Sequence, residues 1–223
     1  MTPEPKELVE RSDDGMRHNA WIFDFDGTIA DTLEIAREVY NELAEEHKLK
    51  HLSKDEVEGL RDYGVNQFLK YLEIPKIKLP VLLTQGKKKF RQRTDSIPLI
   101  EGMKEVLPEL RKKTKVFGIL TSNTDENVKR VLKMHGLADL FDFVSTAPKL
   151  EGKAKHIKAI SKLYSLTKDR ILYIGDEVRD VKASRKAGVA VCAATWGFNS
   201  EKALLKAKPS HTVDHPSQLL ELL

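Results

Sequence analysis

The sequence has almost no cysteine: Cys192 is the only one in 223 residues. No internal disulfide can form, which fits a reducing compartment, and a cytoplasmic location is expected. Cys192 lies in the apolar run Val189–Ala194, where a buried core thiol is expected rather than a reactive one. No apolar stretch is long enough to span a bilayer, so no membrane partner is expected. Met1 to His18 lacks the apolar centre of a signal peptide and reads as a mobile tail over residues 1–18. Nor is one charge sign in large excess. Lys+Arg 38 against Asp+Glu 34 leaves +4, too mild on its own to imply nucleic acid. What remains is ordinary for a soluble globular protein, 40% hydrophobic and 32% charged, with room for one large domain or a domain carrying an insertion.

The informative stretch is Trp21-Ile22-Phe23-Asp24-Phe25-Asp26-Gly27-Thr28. It starts as an apolar run with the composition of a buried strand and ends in concentrated charge. On extended backbone, side chains two residues apart leave the same face, so Asp24 and Asp26 would stand side by side. Two such carboxylates repel, and one takes up a proton unless a cation lies between them. A divalent metal would resolve the conflict. Gly27, without a Cβ, lets the backbone turn sharply and come close to a ligand. The plain alternative is a strand end with an Asp-Gly turn.

After Thr32 the pattern turns helical. Ile35, Val39 and Leu43 recur at four-residue steps. Asp31 with Glu34 resembles a capping box, and Ser53 with Glu56 is a better one. Val65, Phe68, Leu69 and Leu72 mark a third helical face after Gly64, and a fourth helix is expected from Val81 to about Arg93. Residues 32–96 hold no strand-like segment and read as an inserted helical bundle. Beyond Ile97, strands and helices alternate. Strands are expected at Val116–Thr121, Phe141–Val144, Ile171–Ile174 and Val189–Ala194. Helices are expected at Asp125–His135, Ala154–Tyr164 and Val178–Ala187. Alternation of this kind predicts an α/β fold of three layers, a doubly wound parallel sheet covered by helices on both faces. Ligands in such folds sit beyond the carboxyl ends of the strands.

Those ends carry reactive groups. The first strand delivers Asp24 and Asp26, and Val116–Thr121 delivers Ser122 and Asn123. Ile171–Ile174 delivers Gly175-Asp176-Glu177-Val178-Arg179-Asp180, and the segment after the third strand carries Lys149 and Lys153. Each has a structural alternative: Ser122 could cap a helix, Asp176 and Asp180 could serve a helix N-terminus, and either lysine could be solvated.

Taken in order, Asp24-Phe25-Asp26-Gly27-Thr28, Ser122, Lys153 and Gly175 to Asp180 resemble the four-motif signature of the haloacid dehalogenase-like hydrolase superfamily. The closest flavour is its phosphoglycolate-phosphatase-like branch with a helical cap. The resemblance implies a Rossmann-like core over 19–31 and 97–223 and a cap over 32–96. It implies a phosphatase acting on a small phosphorylated metabolite, phosphoglycolate-like or a sugar phosphate, through an aspartyl-phosphate. Asp24 would be the nucleophile and Asp26 the acid and then the base. Mg²⁺ would be held by the Asp24 carboxylate, the Asp26 backbone carbonyl and Asp176. Ser122, Asn123 and Lys153 would contact the phosphate, Lys149 being the alternative lysine, with backbone N–H groups near Phe25 and Asn123 adding donors. Asp180 and Glu177 would support the site from outside. The dehalogenases of the superfamily lack the second aspartate, so Asp26 argues against dehalogenation. A mutase passing the phosphoryl group to a sugar phosphate, a phosphonate hydrolase using a cap lysine, and a catalytically idle binding protein are the rivals.

Three further features stay open at this level. Arg61, before Gly64, is either a specificity residue or a surface arginine. Lys87-Lys88-Lys89-Phe90-Arg91-Gln92-Arg93 is either a phosphate-backbone contact or a solvated helix face, and no nucleic-acid partner is expected from it. His211 and His215 have a metal-like spacing but stand far from the other motifs, where a structural or exposed role is expected. Oligomeric state is not legible.

Overall fold

A computed structural model describes residues 18–147 and 152–223. The expected tail, apart from His18, and Lys149 lie outside the described residues. The first strand, β1 (Ala20–Phe23), is wholly buried. Its side chains alternate between two cores: Trp21 and Phe23 enter one, Ala20 and Ile22 the other, as the two-residue period of a strand requires. β1 pairs in parallel with β2 (Val116–Thr121) on one side and β4 (Ile171–Gly175) on the other. With β3 (Phe143–Thr146), β5 (Ala190–Ala194) and β6 (His211–Val213) they form a six-stranded sheet of order β3-β2-β1-β4-β5-β6. Chain order runs outward from β1 in both directions, so the winding switches at β1. Ligand crevices open at such points in parallel sheets.

Before the strands on either side of β1 come the helices that cover them. Residues 33–92 hold four: α1 (Leu33–His47), α2 (Lys54–Leu60), α3 (Val65–Tyr71) and α4 (Leu79–Gln92). They bury two small clusters of their own, one around Val39, Leu43 and Leu82 and one around Leu52, Leu60 and Leu72. On one sheet face lie α5 (Met103–Lys113) and α6 (Asp125–Met134), which contribute Met103, Leu107, Val128 and Val131. On the other lie α7 (Lys153–Leu163), α8 (Val178–Ala187) and α9 (Glu201–Lys206), with Ile157, Ile160, Val181 and Leu204. The result is the expected three-layer α/β architecture. Cys192 is buried in the first core, and burial pushes its thiol up to about 12. No helix among the described residues is long and apolar enough to cross a membrane.

Two local expectations fail for physical reasons. The Asp31–Glu34 capping box does not form: Thr32 is the N-cap of α1, and Glu34 pairs instead with Arg37 at 2.7 Å and Lys54 at 3.2 Å. With Thr32 at the N-cap, Glu34 falls at the second helical position, one short of the third that a capping box requires. The third strand starts two residues later than its apolar run suggests. Phe141 stacks on Phe117 with ring centroids 5.1 Å apart, and Asp142 accepts from Arg111 at 2.5 Å and from the Phe117 N–H at 2.8 Å. Those contacts hold residues 141–142 ahead of the ladder, which runs on into polar Ser145 and Thr146. The Ser53–Glu56 capping box forms as read.

Candidate active site

The ladder carries the Asp24 backbone one step past β1, its N–H donating to the Ile174 carbonyl at 2.8 Å. The Asp24 side chain, 2% exposed, therefore stands between the ends of β1 and β4. Its Oδ1 accepts the Phe25 N–H at 2.7 Å, and its Oδ2 accepts Lys153 Nζ at 2.5 Å. Lys153 opens α7 and donates a second time, to Asp180 Oδ1 at 2.6 Å. Asp180, in the first turn of α8, also accepts the Glu177 N–H at 3.1 Å, so its capping role and its lysine contact coexist. Burial alone would depress the Lys153 ammonium. The charges of Asp180 and Asp24 outweigh it and hold the pKa well above the usual value, so this cation is permanent. The Tyr173 ring lies 5.5 Å beneath it, with its hydroxyl donated to the Leu120 carbonyl at 3.1 Å.

Asp176 follows β4 and is fully buried. Thr28 Oγ1 donates to its Oδ1 at 2.6 Å, and the Phe198 N–H donates to its Oδ2 at 2.7 Å. This contact explains the glycines around it. Gly27 has φ +75°, and a methyl there would sit 2.4 Å from Asp176 Oδ2 and 2.5 Å from the Phe198 ring. A methyl at Gly197 would fall 2.2 Å from the same oxygen. Only bare backbone lets both chains close on the carboxylate. One oxygen from each of Asp24, Asp176 and Asp180 lies within 4.8 Å of the others, and this is the only such acidic or histidine cluster among the described residues. These are hard oxygen donors, crowded and buried, the chemistry that a small divalent cation satisfies.

Asp26 stands half-buried at the same rim, and Asn123 Nδ2 donates to both of its oxygens at 3.1 Å. Burial, then the Asp24 charge, raise its pKa to about 7, against the pull of Asn123. Glu177 is likewise raised to about 7 by burial, although it pairs with Arg179. Asp24 is raised by burial despite Lys153. Asp176 is raised well above the usual value by burial, then by Glu177, Asp24 and Asp180. Ser122 is half-buried just past β2. It does not cap the next helix; Thr124 does, accepting the Asn127 N–H at 3.3 Å.

The sign of the pH dependence follows. Folded Asp26 and Glu177 keep protons up to about pH 7 that the unfolded chain has lost by about pH 5, so the folded state binds more protons in that window. Stability then falls as pH rises. The metal-free protein is expected to melt several degrees lower near pH 8 than near pH 5.5. Thermal unfolding in EDTA at the two pH values checks this, and a higher melting point near pH 8 contradicts it.

The structure thus brings together Asp24, Asp26, Asn123, Lys153, Asp176, Glu177 and Asp180. Two backbone donors expected for a ligand are engaged internally: the Phe25 N–H with Asp24, and the Asn123 N–H with Thr121 Oγ1 at 3.0 Å. Arg61 stands apart from the carboxylates. It joins α2 to the loop after β5, donating Nη2 to the Thr195 carbonyl at 2.7 Å and pairing with Glu58 at 2.8 Å. The basic run is largely neutralised, Lys89 by Glu42 and Glu46, Arg93 by Glu42 and Arg91 by Glu126. His215 caps the C-terminal 3-10 turn, and His211 lies on β6. Sequence reading missed Thr28 and Phe198 as partners of Asp176, and Trp196, whose Nε1 donates to the Thr28 carbonyl at 3.1 Å. The signal was available: Thr195 to Asn199 follow the end of β5, on the rim where the other groups gather.

Residues 21–194 match the model of the haloacid dehalogenase-like hydrolase family. Over 202 residues the chain is 28% identical to a phosphoglycolate phosphatase of Synechococcus elongatus, covering 91% of this chain and 95% of the relative. It is 25% identical over 212 residues to the pyrophosphatase PpaX of Bacillus thuringiensis, covering 93% and 97%. Its fold is that of a haloacid dehalogenase-like family protein from Streptococcus pneumoniae, with a TM-score of 0.79 at 20% identity, covering 92% and 98%.

Proposed function

Because the chain belongs to the haloacid dehalogenase-like hydrolases, we propose that it is a Mg²⁺-dependent phosphatase that cleaves a small phosphorylated metabolite through an aspartyl-phosphate on Asp24. The observation that carries this reading is Asp24 itself, buried at the switch point between β1 and β4, held by Lys153 and within 4.8 Å of a second carboxylate at Asp176. The phosphatase names of two relatives with end-to-end coverage support the reaction class.

Asp24 attacks phosphorus through a carboxylate oxygen, and the bond to the leaving oxygen breaks. Asp26, whose carboxyl burial and the Asp24 charge push up to about 7 in the metal-free protein, gives its proton to that oxygen. Asn123, fixed to both Asp26 oxygens, orients the acid. Asp26 then takes a proton from the water that cleaves the aspartyl-phosphate and frees Asp24. Lys153 neutralises the phosphoryl oxygens as charge shifts onto them, and Asp180 keeps its ammonium aimed at Asp24. Ser122 donates to a phosphoryl oxygen. The Asp24 carboxylate, the Asp26 backbone carbonyl and Asp176 would hold Mg²⁺, with Thr28 and the Phe198 N–H orienting Asp176. Bound there, the cation offsets the repulsion between an anionic nucleophile and an anionic phosphate. Helices α1–α4, residues 32–96, act as a cap over the core formed by 19–31 and 97–223. Arg61 ties that cap to the rim of the site, and Glu177 steadies the loop beside Asp176.

Phosphate release from p-nitrophenyl phosphate is the direct test. Activity with Mg²⁺ is expected to fall by ~10²-fold or more in EDTA. Release unaffected by EDTA removes the metal from the proposal, and no release under either condition removes the phosphatase.

A further inference from the structure

Beside Glu177 a cavity of about 280 Å³ opens between α1, α2, α3 and the loop after β5. It adjoins the site, because Glu177 and Phe198 are both part of its wall, the one following Asp176 in the chain and the other giving its N–H to Asp176. Most of the lining is apolar, including Leu33, Leu60, Val65 and Phe68. Most of the polar groups in the wall, the Tyr63 hydroxyl aside, are spent on the protein. Arg37 is paired with Glu34 and donates to the Leu52 carbonyl, and Arg61 is paired with Glu58 and donates to the Thr195 carbonyl. Arg61 Nε has no partner but is buried and so does not face the space. The Tyr40 hydroxyl goes to the Lys50 carbonyl, and the Asn199 amide accepts from Val178 and donates to the Arg61 carbonyl. Glu177, the other charged residue in the lining, is paired with Arg179.

A carboxylate or a second phosphate in this space would find both arginines already paired with glutamates, and the one carboxylate in the wall already paired with Arg179. Burying an unpaired anion is costly. An apolar group would find a wall that, the Tyr63 hydroxyl aside, asks for few hydrogen bonds. The volume, about 280 Å³, is nearly twice the ~150 Å³ of an engineered apolar cavity that admits benzene, which leaves room for about ten carbon atoms. Building on the phosphatase reading above, we infer that the substrate is the phosphate monoester of an apolar alcohol of about this size, seated in the cavity, rather than phosphoglycolate or pyrophosphate.

The experiment compares kcat/KM in Mg²⁺ for 3-phenylpropyl phosphate, ethyl phosphate, phosphoglycolate and pyrophosphate. The two alkyl esters have leaving groups of similar basicity, so their difference reports the cavity. A preference of at least ~100-fold for 3-phenylpropyl over ethyl phosphate and over both anionic substrates is expected, since each extra methylene in an apolar pocket is worth about tenfold or more. Val65 is 47% exposed, so Val65→Lys places a cation at the mouth without disturbing the core. It is expected to shift the ratio of 3-phenylpropyl phosphate to phosphoglycolate at least ~10-fold towards phosphoglycolate. Isothermal titration of the metal-free protein should detect 3-phenylpropan-1-ol and not glycolate. Phosphoglycolate or pyrophosphate as the fastest substrate, or glycolate binding without the alcohol, overturns the inference while the phosphatase stands. Release from none of the four overturns both.

Discussion

Asp24→Asn is expected to slow phosphate release by at least ~10⁴-fold, the scale on which single members of a nucleophilic site fail. The amide has nearly the shape of the carboxylate but no anionic oxygen to attack phosphorus. The fold should survive. Lys153 keeps Asp180 as a partner at 2.6 Å, so no buried cation is stranded. The exchange also removes one of the crowded acids whose pKa is raised by burial. The variant should therefore melt at or above the wild-type temperature at neutral pH in EDTA. Activity and melting, measured on the same preparation, separate the two effects. Wild-type turnover in a folded Asp24→Asn protein excludes the residue as nucleophile.

Lys153→Met has the second large effect and differs in kind. Methionine fills much of the same volume, but Asp24 and Asp180 lose the ammonium they share, at a position only 3% exposed. Breaking a buried pair and leaving its charge uncompensated costs about 3–5 kcal/mol, and here two carboxylates are left. Both activity and stability should fall, unlike the Asp24 variant. The loss of stability should be smaller near pH 5 than near pH 8, because protonation relieves carboxylates that have lost their cation. Urea midpoints at the two pH values, at an unchanged slope, give the comparison. An equally stable Lys153→Met protein at both pH values would rule out the ammonium as the charge that holds this cluster together.

Much of this was legible in the linear chain. Trp21-Ile22-Phe23 and Ile171–Ile174 are too short and too apolar to be anything but buried strands between turn signals, and both end in acid. Four reactive segments after four strand-like runs placed Asp24, Asp26, Asp176 and Lys153 on one rim before any coordinates. Local competition was not legible. Glu34 found two cations that the capping rule does not consider, and Phe141 found an aromatic partner in Phe117. Nor was the Asn123 amide's double contact with the Asp26 oxygens legible.

By itself the sequence pointed to a layered α/β fold, a helical stretch between the first two strands and acids at two strand ends, because strand and helix signals rest on periods of two and about four residues along the chain. Only the tertiary structure decided that Lys153 stands between Asp24 and Asp180, that Thr28 and Phe198 pin Asp176, and that Arg61 spends its charge at the cavity wall. Those contacts join residues far apart in number. Their distances are set by strand order and by close packing at Gly27 and Gly197, where a single methyl would be excluded, and local periodicity carries no record of either.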